Sequence, residues 1–186
     1  VCRAAAAKSL RDFFDRRGYA EVETPVLQIS PGMEPHLTAF ETRLHDAEGT
    51  GRPICLHTSP EFAMKKLLAA GMQRIFQLAR VFRDGERSAR HHPEFTMLEW
   101  YRVAAGWRDV AEEAAELVCD ICGPAVQFDG KDCDLTQPWE FLSVSEAFER
   151  YAGIDLMATM GDPIKPDADG LGFAAGPAKT DVGPAC

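Results

Sequence analysis

The first apolar segment of the chain has the period of an amphipathic helix. Residues 4–17 are mostly strong helix formers, and Leu10, Phe13 and Phe14 recur on one face. Gly18 follows where a glycine commonly ends a helix. The pattern therefore predicts a helix whose apolar face packs against a core.

The next segments have the shorter period of strands. A strand is predicted over 19–25, where Pro25 ends it. Apolar and polar residues alternate over 36–45, which predicts a half-buried strand, and the glycines at 49–51 predict a turn before another strand over 54–58.

A second helix is predicted from the residue types at its two ends. Ser59 is a good N-cap, Pro60 suits the first helical position, Glu61 suits the first turn, and Gly71 follows the last apolar residue. The remaining elements are predicted as strands over 74–83 and 93–103 around a polar loop, a helix over 107–122, a hairpin over 125–135 turning at Asp129–Gly130, and a helix over 143–153.

From residue 157 the sequence is rich in glycine and proline and has no hydrophobic period, which is typical of a disordered or non-native tail. We therefore predict one domain over 1–156 and a tail over 157–186. Strands mixed with helices and hairpins predict an α+β fold with a largely antiparallel sheet.

Composition and charge narrow the function classes. The 186 residues give room for one domain or a piece of a larger one, and no stretch has the ~20 apolar residues that span a bilayer. We expect a cytoplasmic protein without a membrane partner. The net charge of −9 argues against extensive contact with an RNA backbone and favours a basic protein partner.

Two of the six cysteines, Cys119 and Cys122, have the spacing of a metal or redox pair. A structural zinc site needs four ligands, and the chain has one such pair. We expect no metal ligands within this chain, and we expect these thiols to be free and to pack inward at a helix end.

The chemistry is concentrated in 82–101, a strand, a charged loop and a second strand. Arg83 offers a planar fork of donors for a phosphate or carboxylate, and Phe95 on the facing strand could stack on a purine. By composition alone, an exposed hairpin with surface charges and a core phenylalanine is the favoured interpretation.

Three segments resemble class II aminoacyl-tRNA synthetases. The segment FRDGERSARHHPEFTMLEWY resembles motif 2 in its lysine-specific form, EVETP resembles motif 1 with its closing Pro25, and TSPEFAMKKLLAAG resembles the amino-acid-binding helix. The resemblance covers about 3–155. It implies an antiparallel class II sheet flanked by helices, here incomplete, and a homodimer formed through motif 1.

The resemblance implies that the motif 2 loop binds ATP. Arg83 would be the catalytic residue that neutralises charge at the α-phosphate, and Phe95 would stack on adenine. Other implied contacts come from Asp84, Gly85, Glu86, His91 and His92. The family glutamate two residues after the arginine is replaced here by Gly85, and His92 replaces a common asparagine, so the two histidines could instead only close the loop.

The resemblance also implies a lysine pocket. Glu61 would bind the α- or β-amino group, beside Ser59 and Pro60, and Glu99 and Tyr101 would meet the ε-ammonium from one face of a strand. A surface position for Glu99 and a core position for Tyr101 are alternatives. Lys65 and Lys66 are expected on the solvated face of their helix.

Two lysine-activating relatives compete. The candidates are the ligase that lysylates elongation factor P and lysyl-tRNA synthetase. The ligase is favoured by the segments TSPE and LEWYR, by the acidic charge and by the absence of a preceding anticodon-binding domain. We therefore do not expect tRNA to be a partner. Nothing after Leu142 resembles motif 3, whose arginine binds the γ-phosphate, or its neighbouring Mg²⁺ ligands. We therefore expect a fragment or truncated product that is inactive alone although the reaction uses ATP and Mg²⁺; a non-catalytic module is the remaining alternative.

Overall fold

A computed structural model of the chain describes residues 2–32, 34 and 36–160. It divides into two compact units, Val1–Gln137 and Pro138–Cys186, of which the second is described as far as residue 160. The elements of the first unit are α1 (Arg3–Arg16), β1 (Ala20–Glu21), β2 (Leu27–Gln28), β3 (Glu41–His45), β4 (Gly51–Leu56), α2 (Glu61–Ala69), β5 (Arg74–Phe82), β6 (Glu94–Arg102), α3 (Trp107–Cys122), β7 (Ala125–Phe128) and β8 (Lys131–Asp134). Those of the second are α4 (Val144–Ala152) and α5 (Leu156–Thr159).

The central sheet has the order β1-β5-β6. The strands β5 and β6 are antiparallel and pair without a break from Arg74↔Arg102 to Phe82↔Glu94, which confirms the two strands predicted around a polar loop. The short β1 pairs parallel to β5, with Ala20 opposite Ile75. This sheet, with helices beside it, confirms the α+β class.

The core of the first unit lies between α1, α3 and this sheet. Phe13 and Phe14 are fully buried, and Phe14 stacks on Phe76 of β5 with ring centroids 4.6 Å apart. Leu98 and Trp100 of β6 pack against the same cluster. The apolar face predicted for the first helix is therefore the face that anchors the sheet.

Consecutive residues of β6 serve opposite faces of the sheet, because side chains alternate along a strand. Leu98 and Trp100 pack on the core cluster that contains α1. Glu99 instead contacts Ser59, which lies two residues before α2. The register that buries the tryptophan thus also fixes the direction of the carboxylate.

A buried polar cluster joins the core to α3. The carboxylate of Glu113 is 6 % exposed and accepts hydrogen bonds from the Tyr19 hydroxyl at 2.6 Å and from the Trp100 indole at 3.2 Å. Burial of Tyr19, together with this carboxylate, raises the pKa of its hydroxyl well above the ordinary value. The tyrosine therefore remains a hydrogen-bond donor across the neutral range.

We expect the folded state to lose stability as the pH rises past about 10, where Tyr19 ionises in the unfolded chain but not in the folded one. Each such tyrosine contributes a slope of up to ~1.4 kcal/mol per pH unit, so Tyr19→Phe should flatten the decline. Urea unfolding between pH 8 and 11 measures it. Tyr151→Phe, at an exposed tyrosine, is the matched control. An unchanged slope in Tyr19→Phe would contradict the expectation.

A second sheet has the order β2-β4-β3 and is antiparallel. The prediction of a half-buried strand over 36–45 is wrong in extent and burial, because β3 begins at Glu41 and all five of its residues are exposed. The strand lies at the edge of its sheet, and the exposure of successive residues shows that no element of the described chain packs over either of its faces. The turn predicted at 49–51 is confirmed between β3 and β4, with Gly49 at φ 85°.

Most helix ends and turns were predicted correctly from the residue types at those positions. Asp129 and Gly130 both have positive φ and form the tight turn of the β7–β8 hairpin, and α3 has the predicted bounds. Gly18, at φ 70°, ends α1 as predicted, with its amide donating to Asp15. The helix α2 begins at Glu61, one residue later than predicted, because Pro60 takes the capping position although its backbone is already helical.

In the second unit, α4 begins with a capping box between Ser143 and Glu146 and ends at Gly153 in the left-handed conformation. Asp155 then caps the short α5, so regular structure continues through residue 159, slightly past the predicted start of the tail. Residues 161–186 of that tail lie outside the described residues. The domain boundary after 156 stays a prediction.

The cysteine prediction is partly wrong. Cys119 and Cys122 are unpaired, and the Cys119 thiol donates to the Leu135 carbonyl at 3.2 Å. Cys122 is exposed rather than packed inward, because α3 turns Leu117 and Ile121 towards the core and leaves position 122 on the opposite side. Among the described residues, no helix is long and apolar enough to cross a membrane.

Candidate active site

The loop between β5 and β6 is fixed at its base. The Arg83 amide donates to the Pro93 carbonyl at 2.9 Å, which continues the strand pairing by one step. The Asp84 amide donates to the Thr38 carbonyl at 2.8 Å, and the Gly85 amide donates to the Asp84 carboxylate. Since both of these amides have internal acceptors, contact of Asp84 and Gly85 with a nucleotide through backbone N–H groups needs those bonds to open.

A cavity of about 780 Å³ lies at this loop. Its lining residues are Arg83, Gly85, Glu86, Arg87, Ser88, Arg90, His91, His92 and Phe95. The fold thus brings together all the residues predicted to bind ATP except Asp84. Three arginines in one open cavity suit a polyphosphate, because each presents several donors without an acceptor.

Arg83 directly follows β5, and its side chain is held by weak contacts. Its Nε donates to the Thr58 carbonyl at 3.4 Å, its Nη1 lies 3.9 Å from the Glu86 carboxylate, and its guanidinium lies 5.3 Å from the centre of the Phe95 ring. Long contacts of this kind can be exchanged for a phosphate. Arg83 and Phe95 therefore lie close enough to engage one nucleotide.

The two histidines both have partners within the loop. The Ser88 hydroxyl lies 2.9 Å from His91 Nδ1 and also accepts from the His91 amide at 3.1 Å. The Glu94 amide donates to His92 Nδ1 at 3.3 Å. These bonds fit the loop-closing alternative, and both rings nevertheless line the cavity.

A second constellation lies where α2 begins beside β6. The Ser59 hydroxyl donates to Glu99 Oε1, and the Tyr101 hydroxyl donates to Glu99 Oε2 at 2.8 Å. Burial of Tyr101, helped by its bond to Glu99, raises the pKa of the hydroxyl above its ordinary value. Both oxygens of Glu99 are thus oriented by neutral donors, which leaves the carboxylate charge available for a cation.

Glu61 belongs to the same constellation. Its amide donates to the Ser59 hydroxyl at 3.0 Å, and its negative charge contributes to the raised pKa of Tyr101. Pro60 is fully buried and fixes the start of the helix. Lys65 and Lys66 are both exposed, as predicted, and Lys65 Nζ lies 2.5 Å from Glu61 Oε1.

Several contributors were missed by sequence reasoning. Thr58 supplies the carbonyl for Arg83, and the other residues that line the cavity are Arg87, Ser88 and Arg90. The Glu61–Lys65 pair has i,i+4 spacing, which is a recognisable signal. Nothing local in the sequence signals the Thr58 contact, since it joins residues 25 positions apart.

The structure also shows the position of Pro25 and the arrangement of the acidic side chains. Pro25 is exposed in the segment between β1 and β2, and its carbonyl accepts from the Gln28 side chain at 2.5 Å. Among the described residues, no group of three or more acidic, histidine or cysteine side chains could hold a metal ion. The described residues therefore do not fit a Mg²⁺ site, and no step below is assigned to a metal.

The β5–β6 loop lines a cavity of nucleotide size that contains three arginines, and a separate hydrogen-bonded group with two carboxylates lies where α2 meets β6. Such groups suit the binding of a phosphate-bearing nucleotide and of an ammonium group. The model of the family described as tRNA synthetases class II (D, K and N) matches residues 1–168, and this chain belongs to that family. Curated relatives include the elongation factor P–(R)-β-lysine ligases of Pseudoalteromonas translucida, 38 % identical over 92 % of this chain and 50 % of that protein, and of Avibacterium paragallinarum, 39 % identical over 88 % and 48 %. The corresponding ligase of Mannheimia succiniciproducens is 41 % identical over 82 % of this chain and 44 % of its own length. The chain spans about half the length of the relatives it matches.

Proposed function

We propose that this chain provides the motif 2 half of an ATP-dependent ligase that activates lysine or β-lysine and transfers it to a lysine side chain of elongation factor P. The observation that supports this proposal best is the environment of Glu99. Its two carboxylate oxygens accept hydrogen bonds from Ser59 and Tyr101, and a second acidic residue, Glu61, is bonded to the same serine. A substrate with two ammonium groups matches two separate carboxylates. The printed names of the relatives support the choice of acceptor.

The proposed reaction has two steps. A carboxylate oxygen of the amino acid attacks the α-phosphorus of ATP, and pyrophosphate leaves to give the aminoacyl-adenylate. Arg83 donates to the α-phosphate oxygens, where negative charge accumulates. The acceptor amine then attacks the adenylate carbonyl, an amide bond forms, and AMP leaves. No covalent enzyme intermediate is needed, because positioning and charge stabilisation suffice.

The ATP site is proposed over the loop cavity. The aromatic ring of Phe95 is proposed to stack on adenine, because a flat apolar ring suits the base. Arg87 and Arg90 in the loop are proposed to add positive charge near the phosphates. Glu86, His91 and His92 complete the lining. The γ-phosphate contact and the Mg²⁺ ligands are proposed to come from a G-x-G-x-x-R segment and acidic residues that this sequence does not contain. Residues 1–186 alone are therefore proposed to turn over weakly or not at all.

A homodimer is also proposed. The segment that resembles motif 1 ends at Pro25, which is exposed between two short strands. Sedimentation of the full natural polypeptide tests this part by itself, since the lysine pocket and the loop cavity are both built from one copy of the chain.

The test of the function is a transfer assay with the full natural polypeptide that contains this sequence. Labelled lysine and β-lysine are supplied with ATP, and both elongation factor P and tRNA are offered as acceptors. Label on the protein is expected. Label on tRNA would instead support a lysyl-tRNA synthetase, and the absence of lysine-dependent ATP–pyrophosphate exchange would support a non-catalytic module.

A further inference from the structure

One of the carboxylates proposed to bind the amino acid is paired with a lysine of the chain itself. Lys65 lies one helical turn after Glu61 on α2, and its ammonium is 2.5 Å from the Glu61 carboxylate. This is the carboxylate proposed to receive the second amino group of the substrate. One acceptor therefore has two possible ammonium partners.

Glu61 is not an isolated surface carboxylate. Its side chain is 33 % exposed, and Ser59 links it to Glu99 by accepting from the Glu61 amide and donating to the Glu99 carboxylate. The charge of Glu61 also reaches Tyr101, whose hydroxyl donates to Glu99, so the two carboxylates lie near each other. Like charges repel, and the Lys65 ammonium beside Glu61 offsets part of that repulsion.

The Lys65 side chain can also move away from Glu61. Its side chain is 53 % exposed, so its ammonium can be rehydrated when it moves away from Glu61. An exposed i,i+4 ion pair is weak, so a substrate amino group placed by its other contacts can displace it. A ligand without that amino group leaves the Glu61–Lys65 pair intact.

We propose that Lys65 is a specificity-determining residue, a tethered ammonium that occupies Glu61 until the substrate's own α- or β-amino group replaces it. This inference rests on the proposed lysine site. A tethered competitor reduces the apparent affinity for ligands that need the same carboxylate and leaves the affinity for other ligands unchanged. Lys65 thus lowers the affinity for the diamino acid and also compensates part of the negative charge of Glu61 and Glu99.

The experiment compares Lys65→Met with Lys66→Met in the full natural polypeptide. Lys66 is the adjacent exposed lysine, so both variants lose one positive charge from the same turn of α2. Calorimetric titrations use lysine, β-lysine and 6-aminohexanoate, which keeps the carboxylate and the terminal ammonium but lacks the second amino group. Lys65→Met is expected to bind the preferred diamino acid about threefold more tightly, with 6-aminohexanoate unchanged and Lys66→Met close to the parent protein.

Three outcomes would overturn the inference. Unchanged or weaker binding of the diamino acid in Lys65→Met would make Lys65 a surface or positioning residue, and equal tightening of all the ligands would indicate a general effect of charge. If the parent protein binds neither lysine nor β-lysine, the proposed function fails and the inference fails with it. Normal lysine binding with no effect of Lys65→Met overturns the inference alone.

Discussion

Replacing Glu99 with glutamine is expected to lower kcat/KM for lysine-dependent ATP–pyrophosphate exchange by roughly 10²–10³-fold. Glutamine keeps the shape and can still accept from the Tyr101 hydroxyl, but it removes the charge that a substrate ammonium would pair with. The loss should therefore come from the paired cation rather than from packing. The measurement is exchange at varied lysine concentration in the full natural polypeptide.

The matched control is Glu94→Gln, the same substitution five residues earlier on β6. Glu94 has the opposite parity on the strand and pairs with Arg80 at 3.3 Å, away from Ser59 and Tyr101. It should retain exchange near the parent rate. Equal loss in both variants would point to a general effect on the strand, and full activity in Glu99→Gln would refute the assigned lysine pocket.

Replacing Arg83 with alanine is expected to reduce kcat by about 10²–10³-fold, because it removes a donor aimed at charge that develops during the reaction. The folded chain should tolerate the change, since within the part of the chain that the structure describes the side chain of Arg83 makes long contacts, with Thr58, Glu86 and Phe95. Arg83→Lys should recover part of kcat, because it keeps the charge but lacks the planar fork. Exchange kinetics at varied ATP concentration separate kcat from KM.

Arg80→Ala is the control for this series, because Arg80 lies on β5 three residues before Arg83 and its side chain pairs with Glu94. It should leave kcat unchanged. A rise in the KM for ATP at constant kcat in Arg83→Ala would mean that Arg83 binds ground state and transition state equally, and the proposed role in charge stabilisation would then be withdrawn.

Features governed by neighbouring residues could be predicted from the sequence. Gly18, the Asp129–Gly130 turn and the Ser143 cap each act within a few residues, so their chemistry is visible in a short window. The strands β5 and β6 were predictable for a similar reason, because a polar loop separates two apolar runs. Ser59, Glu61, Glu99 and Tyr101 were found through a family resemblance, and the structure places them together.

Features governed by distant residues could not be predicted. The parallel pairing of β1 with β5, the bond from Tyr19 to Glu113 and the support of Arg83 by Thr58 each join residues more than 20 positions apart. The exposure of β3 also depends on what packs over it, which alternation alone does not specify. Within the site, the partners of the Asp84 and Gly85 amides became visible only when the loop was folded.

The alternation along β6 has a consequence for how this family can change its substrate. Leu98 and Trp100 hold the strand to the core, while Glu99 and Tyr101 bond to each other on the side proposed for the lysine pocket. Substitutions at the pocket positions can therefore alter selectivity at little cost to folding, whereas a shift of one residue in register would exchange the two sets and lose both. New amino-acid preferences can thus evolve by point substitution on one side of a strand that the other side keeps in place.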